Sequence, residues 1–211
     1  SNLYHIYNPN EVKSIGKPTP YSWTAADAHG LNQTHLKTSD VGITGEDYLS
    51  ARRMLLINND VMMGICTPKQ RKMDYFFKNA DGDELIYIHD GEGVMYSQFG
   101  KLVVKKGDYI VIPRTTIYRF EFNEEGPLRL LVMESSGPIE TVKRYRNEVG
   151  QLLEHSPYCE RDIRPPHEIH LEEQKGDYLI QIKKQGMLHP YHYAHSPLDI
   201  VGWDGYLYPY A

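Results

Sequence analysis

Between residues 84 and 133, short runs of β-branched, aromatic and aliphatic residues alternate with turn residues at close, even spacing. ELIYIH (84–89) leads into Asp90-Gly91-Glu92-Gly93, a turn in which glycine accepts positive φ without steric cost. The run 94–99 follows, then a tight turn at Gly100 and the run 101–104. Lys105-Lys106-Gly107-Asp108 turns into YIVI (109–112), which Pro113 ends. IYRFEF (117–122) alternates apolar with charged residues, and LRLLVM (128–133) closes the block. Strands this short and this regularly punctuated predict a sandwich or barrel. RRMLLI (52–57) and VMMGICT (61–67), separated by Asn58-Asn59-Asp60, read as strand, turn, strand, and YLIQIK (178–183) reads as a further strand. The 17 tyrosines suit half-buried strands, where the ring packs and the hydroxyl reaches a polar edge. The fold class expected is all-β.

Around this block the chain is less regular. Residues 1–60 read as a loop-rich amino-terminal segment with the first strands, punctuated at Pro9, Pro18, Pro20, Gly30, Gly42 and Gly45. Residues 61–136 hold the barrel, and 137–211 form an extension. In that extension 137–166 is irregular, with at most a short helix at 145–153, and 190–211 reads as packed loop and short strand.

The formal net charge is −5, which argues against a nucleic-acid binder, since such a protein needs a basic face to offset phosphate. The one basic run, Lys143-Arg144-Tyr145-Arg146, reads as a solvated segment. No apolar run approaches the roughly 18 residues that span a bilayer, so no membrane partner is expected. Two cysteines, Cys66 and Cys159, make no disulfide framework, and a cytoplasmic location is the expectation.

The turn positions match those of a cupin, a double-stranded β-helix (jelly-roll barrel) whose metal ligands converge from neighbouring strands. Its first pattern is G-x5-H-x-H-x3,4-E-x6-G and its second is G-x5-P-x-G-x2-H-x3-N. Glu84 followed by Gly91 fits the end of the first, and Gly107 followed by Pro113 the start of the second. The ligand positions do not fit. The first pattern's two histidines fall at Phe77 and Asn79, the second's histidine at Tyr118 and its Asn at Phe122. One remaining carboxylate, Glu84, does not hold a divalent transition metal. The block therefore reads as a degenerate cupin barrel that keeps its skeleton without a metal, with Glu84 as a hydrogen-bonded structural carboxylate.

The other candidates fall to similar tests. His189, His192 and His195 are three apart, but Pro190 and Pro197 and the intervening tyrosines favour an extended run, in which such residues point to opposite faces. His167-Glu168-x-His170 is one residue short of a zinc-helix motif. His89 reads as a turn residue. Gly91-x-Gly93 lacks the third glycine and the helix of a phosphate cradle, no nucleophile elbow is present, and Cys66 or Cys159 would need a neighbouring histidine to act as a nucleophile. No catalytic, cofactor-binding or metal residue is assigned.

Several long stretches resemble one family. MDYFFKNADGDELIYIHDGEGVMYSQFG (73–100) and GDYIVIPRTTIYRF (107–120) are similar to the first-barrel signature of bacterial homogentisate 1,2-dioxygenases. LYHI (3–6), YRNEVGQLLEHSPYCERDIR (145–164) and YAHSPLDIVGWDGYLYPY (193–210) resemble the same family, in the same order. The resemblance implies a non-haem Fe(II) enzyme that uses dioxygen to open the ring of homogentisate to maleylacetoacetate in tyrosine and phenylalanine breakdown, and a homo-oligomer. It implies that the iron ligands and a base histidine follow the W-x-G-Y-x-Y-P-Y region in a second barrel beyond Ala211, and that an amino-terminal stretch precedes Ser1. On that basis no ligand transfers to a residue of this chain, and Trp203, Asp204, Gly205 and Tyr210 are expected to pack the two halves together. Two alternatives stand beside it: a non-catalytic cupin binding or scaffold domain, and a ring-cleaving dioxygenase for another hydroquinone acid.

Overall fold

The computed structural model describes residues 1–26 and 35–211; Gly30, one of the turn residues named above, lies outside them. Three short strands open the chain: β1 (Asn2–His5), β2 (Val12–Ile15) and β3 (Thr19–Pro20). The central block contains β4 (Arg52–Ile57), β5 (Val61–Cys66), β6 (Phe76–Asn79), β7 (Asp83–Asp90), β8 (Glu92–Ser97), β9 (Gly100–Lys105), β10 (Tyr109–Ile112), β11 (Ile117–Phe122) and β12 (Arg129–Ser135). The chain closes with β13 (Lys175–Lys184), β14 (Met187–His195) and β15 (Ile200–Asp204).

Two sheets share one core. The first has the order β10-β7-β12-β5-β4; the second runs β2-β14-β13-β6-β11-β8-β9, with β3 also on β14. β1 and β15 pair separately. Among the described residues, the named strands pair antiparallel except β13 with β6. The hydrogen bonding does not run from one sheet into the other, so the jelly roll is a double sheet and not a closed barrel. The second sheet draws strands from all three stretches of sequence set out above.

Alternation decides what fills the interior. Ile86 and Ile88 on β7, Leu130 and Val132 on β12, Met95 on β8 and Phe120 on β11 form one buried cluster. Each alternates with a more exposed neighbour, as the period of two requires. Two expected turn glycines are confirmed by their backbones. Gly91 has φ +107 between β7 and β8, and Gly100 has φ +120, where a Cβ would stand 2.4 Å from the Glu168 carbonyl oxygen.

One expectation is corrected. Residues 145–153 form no helix. A single 3-10 turn at Lys143–Tyr145 precedes them, and the Asn147 side chain accepts from the Val149 and Gln151 amides. That local bonding, with Gly150 at φ +89, competes with a helical ladder and wins. The extended run expected around His189, His192 and His195 is a continuous strand over 187–195, running through Pro190. Pro190 lies between the stretch of β14 paired to β3 and the stretch paired to β2, where its carbonyl accepts from the Gly16 amide. A strand tolerates proline where no ladder donor is required.

Candidate functional site

The same alternation that points Ile86 and Ile88 inward also points Glu84 inward. On β12 it does the same for Glu134, two residues beyond Val132. These carboxylates sit directly opposite one another in the β7–β12 register, and both are buried. Like charges facing each other across a ladder repel, and in a dry interior they repel strongly. Cations have to answer them.

Arg52 and Lys183 are those cations. Arg52 stands at the start of β4, fully enclosed, and its Nη1 donates to Glu84 Oε1 at 2.6 Å. The same nitrogen lies 4.0 Å from Glu134 Oε2. Arg52 Nη2 donates to the Tyr48 hydroxyl at 2.9 Å and to the Tyr118 hydroxyl at 3.2 Å, and Tyr118 donates to Glu84 Oε2 at 2.7 Å. The guanidinium also lies over the rings of Tyr48 and Phe77, at 4.7 and 5.1 Å from their centroids. Lys183, buried on β13 beside Asn79, pairs with Glu134 Oε1. Burial works against the charged form of Arg52, but the Glu84 carboxylate outweighs it and holds the guanidinium more firmly protonated than usual. Burial, then the Glu84 charge, push the Tyr118 hydroxyl well above the ordinary phenol range, and burial raises Tyr48 also. Both phenols are therefore neutral.

A built turn delivers Tyr48 and Arg52. Asp47 accepts from the amides of Leu49 and Ser50 and from the hydroxyls of Ser50 and Tyr75, while Ala51 donates back to the Asp47 carbonyl. Burial opposes ionisation of Asp47, but the Ser50 and Tyr75 hydroxyls and these amides outweigh it, and its pKa falls below the usual aspartate value. A group whose folded pKa is depressed stabilises the fold above its unfolded pKa of about 3.9 and loses that contribution as pH falls through the lower folded value. Wild-type melting temperature is expected to drop more steeply below about pH 4 than that of D47N, measured in parallel acid titrations; identical slopes would remove Asp47 from this role.

Beside the pair of carboxylates a cavity of about 280 Å³ is lined by Tyr21, Trp23, Asp60, Asp81, Glu134 and Lys183, among others. Tyr21 helps cover this end of the double sheet, donating its hydroxyl to the Leu49 carbonyl at 2.8 Å.

The two cupin patterns map onto this site. Glu84 occupies the carboxylate position, Phe77 and Asn79 the two histidine positions of the first pattern, and Tyr118 the histidine position of the second. Phe77, Glu84 and Tyr118 all meet Arg52. Asn79 instead accepts from the Asp81 and Gly82 amides, and Phe122 stacks on Phe120 in the core. The second pattern's glycine falls at Thr115, which adopts φ +70 and donates its amide to the Asn79 carbonyl at 2.7 Å. Iron does not fit here. A phenylalanine, an amide turned to its own turn and a neutral phenol supply no imidazole, and a guanidinium fills the centre. Among the described residues no group of three His, Cys, Asp or Glu is placed to hold a metal.

The remaining candidates lie elsewhere. His192 is half exposed and bonds Asp177 at 3.1 Å, whereas His195 is buried, its ring nitrogens facing the carbonyls of Ser196 and Asn8. His5 Nδ1 bonds the fully buried Asp199 at 2.7 Å, which anchors the amino-terminal segment. His170 bonds Glu172, which also accepts from Ser196. The carboxylate thus stands between serine and histidine, and no nucleophile–base contact forms. His89 is exposed at the end of β7. Burial pushes the Cys66 thiol up to about 12, so it stays protonated and unreactive at neutral pH. Trp203 donates to the Phe99 carbonyl, Asp204 accepts from Tyr4 and Asn2, and Tyr210 exchanges backbone bonds with Val111, so each has a partner within this chain.

Sequence reasoning named Glu84 and Tyr118 but missed Arg52, Glu134, Lys183 and Tyr48. A signal existed for two of them. Glu134 continues the inward parity of Leu130 and Val132, and Lys183 that of the core-packed Leu179. A charged residue on the inward parity of a strand demands a buried partner.

Comparison with known proteins decides the family. The model for the homogentisate 1,2-dioxygenase N-terminal family matches residues 37–211. The chain belongs to that family. A relative from Saccharolobus solfataricus, whose name is putative dioxygenase with no substrate stated, is 35% identical over 99% of this chain and 53% of its own length. The homogentisate 1,2-dioxygenase of Sinorhizobium fredii is 32% identical over 65% of this chain and 29% of its own length. The chain thus spans about half the length, or less, of these curated relatives. Among solved structures, a cupin protein from Bacteroides fragilis covers 44% of the chain and 84% of its own, at 18% identity and TM-score 0.37. A cupin 2 conserved barrel domain protein from Leptotrichia buccalis covers 40% and 39%, at 28% identity and TM-score 0.35. No helix among the described residues is long and apolar enough to cross a membrane.

Proposed function

We propose that this chain is the structural portion of a ring-cleaving dioxygenase that opens homogentisate to maleylacetoacetate, and that Fe(II) is held by residues outside these 211. The observation that supports this reading most directly is the buried Arg52–Glu84 pair at 2.6 Å, standing in a member of this family where a cupin metal would stand. A double sheet whose interior charges already neutralise one another is suited to carrying and aligning a catalytic partner, and offers dioxygen no open coordination position. The resemblance to homogentisate dioxygenases supports homogentisate as the substrate, and a homo-oligomeric assembly and a place in tyrosine and phenylalanine breakdown are parts of the same proposal.

The test uses the full-length polypeptide. Purified with iron, it is expected to carry about one iron per chain and to consume dioxygen on addition of homogentisate, whereas the 211-residue portion carries none and turns over nothing. Full-length protein without iron and without oxygen uptake would leave only a scaffold role. Faster oxygen uptake with another hydroquinone acid would reassign the substrate.

A further inference from the structure

The first sheet ends at β10, and the last residues of the chain lie along its outer edge. Val111 and Tyr210 exchange both backbone hydrogen bonds, at 2.8 and 3.1 Å, in antiparallel fashion. Ala211 exchanges both of its own with Arg164, at 2.7 and 3.1 Å. Successive residues of an extended chain turn their backbone groups to opposite sides, so residues 210–211 begin a strand held between β10 and the segment that carries Arg164. The slot continues as a groove of about 470 Å³, with Gly107, Asp108 and Tyr109 on the β10 side, Ile163 on the other, and the apolar side chains of Leu85 and Ile139 among its walls. Tyr109 lies two residues before Val111, so alternation points its amide and carbonyl to the same edge, and the residue is 56% exposed. A sheet edge on which pairing has begun is a template for further strand.

We infer that this groove seats the residues directly after Ala211 in the longer polypeptide, which carry the 210–211 strand along β10 as a sixth strand of the first sheet. This rests on the reading above, in which the iron is held outside these 211 residues; the matching family model is an N-terminal one, and the S. solfataricus relative matches over 53% of its own length. In the antiparallel register set by Val111 and Tyr210, the residue after Ala211 falls opposite Tyr109. From Val111 back to Gly107 the edge is ~13 Å long at ~3.3 Å per residue, room for about three extended residues beyond Ala211. Main-chain pairing supplies the recognition, as in other cases of strand addition, and Leu85 and Ile139 offer apolar contact to the side chains. A second copy would have to enter a slot that Tyr210 and Ala211 of this chain already enter, whereas the tethered segment arrives at high effective concentration and in a fixed register.

The test is hydrogen exchange on the full-length polypeptide, resolved to single amides by fragmentation mass spectrometry. The Tyr109 amide is expected to exchange on the order of 100-fold slower than an unprotected amide, alongside that of Val111. A second full-length protein carries proline in place of the residue after Ala211. The amide at that position would face β10, as that of Tyr210 does, so proline removes the donor and sets its ring against the edge. Tyr109 is then expected to lose its protection while Val111 keeps it. Fast exchange at Tyr109 in the unaltered protein, beside a protected Val111, would overturn the inference, and that measurement decides the point even where the proline variant does not fold. Protection of Tyr109 that survives the proline would overturn it too, by placing a second copy or a remote part of the chain on this edge. Oxygen uptake with homogentisate is followed in parallel. Uptake with an unprotected Tyr109 removes this inference alone, whereas a protected Tyr109 without iron or uptake removes only the reading on which it rests.

Discussion

An E84A variant is expected to lose about 3–5 kcal/mol of folding stability, enough to lower the melting temperature by on the order of 10 °C. The size of the effect comes from what is left behind. Arg52 is fully enclosed and hydrogen-bonded to Glu84 at 2.6 Å, and without that carboxylate its charge keeps two neutral phenols, two aromatic faces and, 4.0 Å away, Glu134 Oε2, whose carboxylate Lys183 already holds. A desolvated charge without a carboxylate of its own is among the few features that make a single substitution this costly. The loss should not measure the worth of the ion pair itself. Taking both ions away in R52M/E84L removes the desolvation cost along with the attraction, so the double variant is expected within about 1–2 kcal/mol of wild type. Denaturant melts of wild type, R52M, E84L and R52M/E84L give the cycle. If E84A alone cost under about 1 kcal/mol, Arg52 would have to find another acceptor, and the network described here would be wrong.

A second large loss is expected at Lys183. K183M leaves Glu134 buried and directly opposite Glu84, with Arg52 Nη1 at 4.0 Å as the nearest cation. Two carboxylates then compete for one guanidinium, and a cost of about 3 kcal/mol is expected. Folding should become pH-dependent in a way wild type is not, because protonating either carboxylate relieves the repulsion. The deficit of K183M against wild type is therefore expected to shrink as pH is lowered, and K183M/E134L should lose that dependence. A deficit that is flat with pH, measured by denaturant midpoints across the acidic range, would show that Lys183 acts through packing and not through charge.

These expectations fall on residues that differ in how readable they were. Glu84 could be placed from spacing alone, because seven positions before a turn glycine on an alternating strand is an inward-facing address. Tyr118 followed in the same way from Gly107 and Pro113. Arg52 could not. It opens an apolar run next to a second arginine, and Arg53 is exposed while Arg52 is buried. Which of the two turns inward is decided by the turn that Asp47 organises and by the register of β4 on β5. The helix expected at 145–153 failed for a related reason: composition permitted it, but side chain–backbone bonds from Asn147 hold the segment in turns.

The residue pattern by itself determined the strands of the central block other than β6, and the absence of imidazole at the cupin ligand positions, because a period of two and a turn glycine are local properties that neighbours cannot change. Which charges meet was left to the tertiary structure. Arg52 reaches Glu84 across 32 positions and Lys183 reaches Glu134 across 49, through pairings between strands that no local signal encodes. Sequence could show that the cupin ligand positions hold no histidine; only the packed double sheet showed that a guanidinium stands among them, since a buried carboxylate must be neutralised by whatever cation the fold brings within reach.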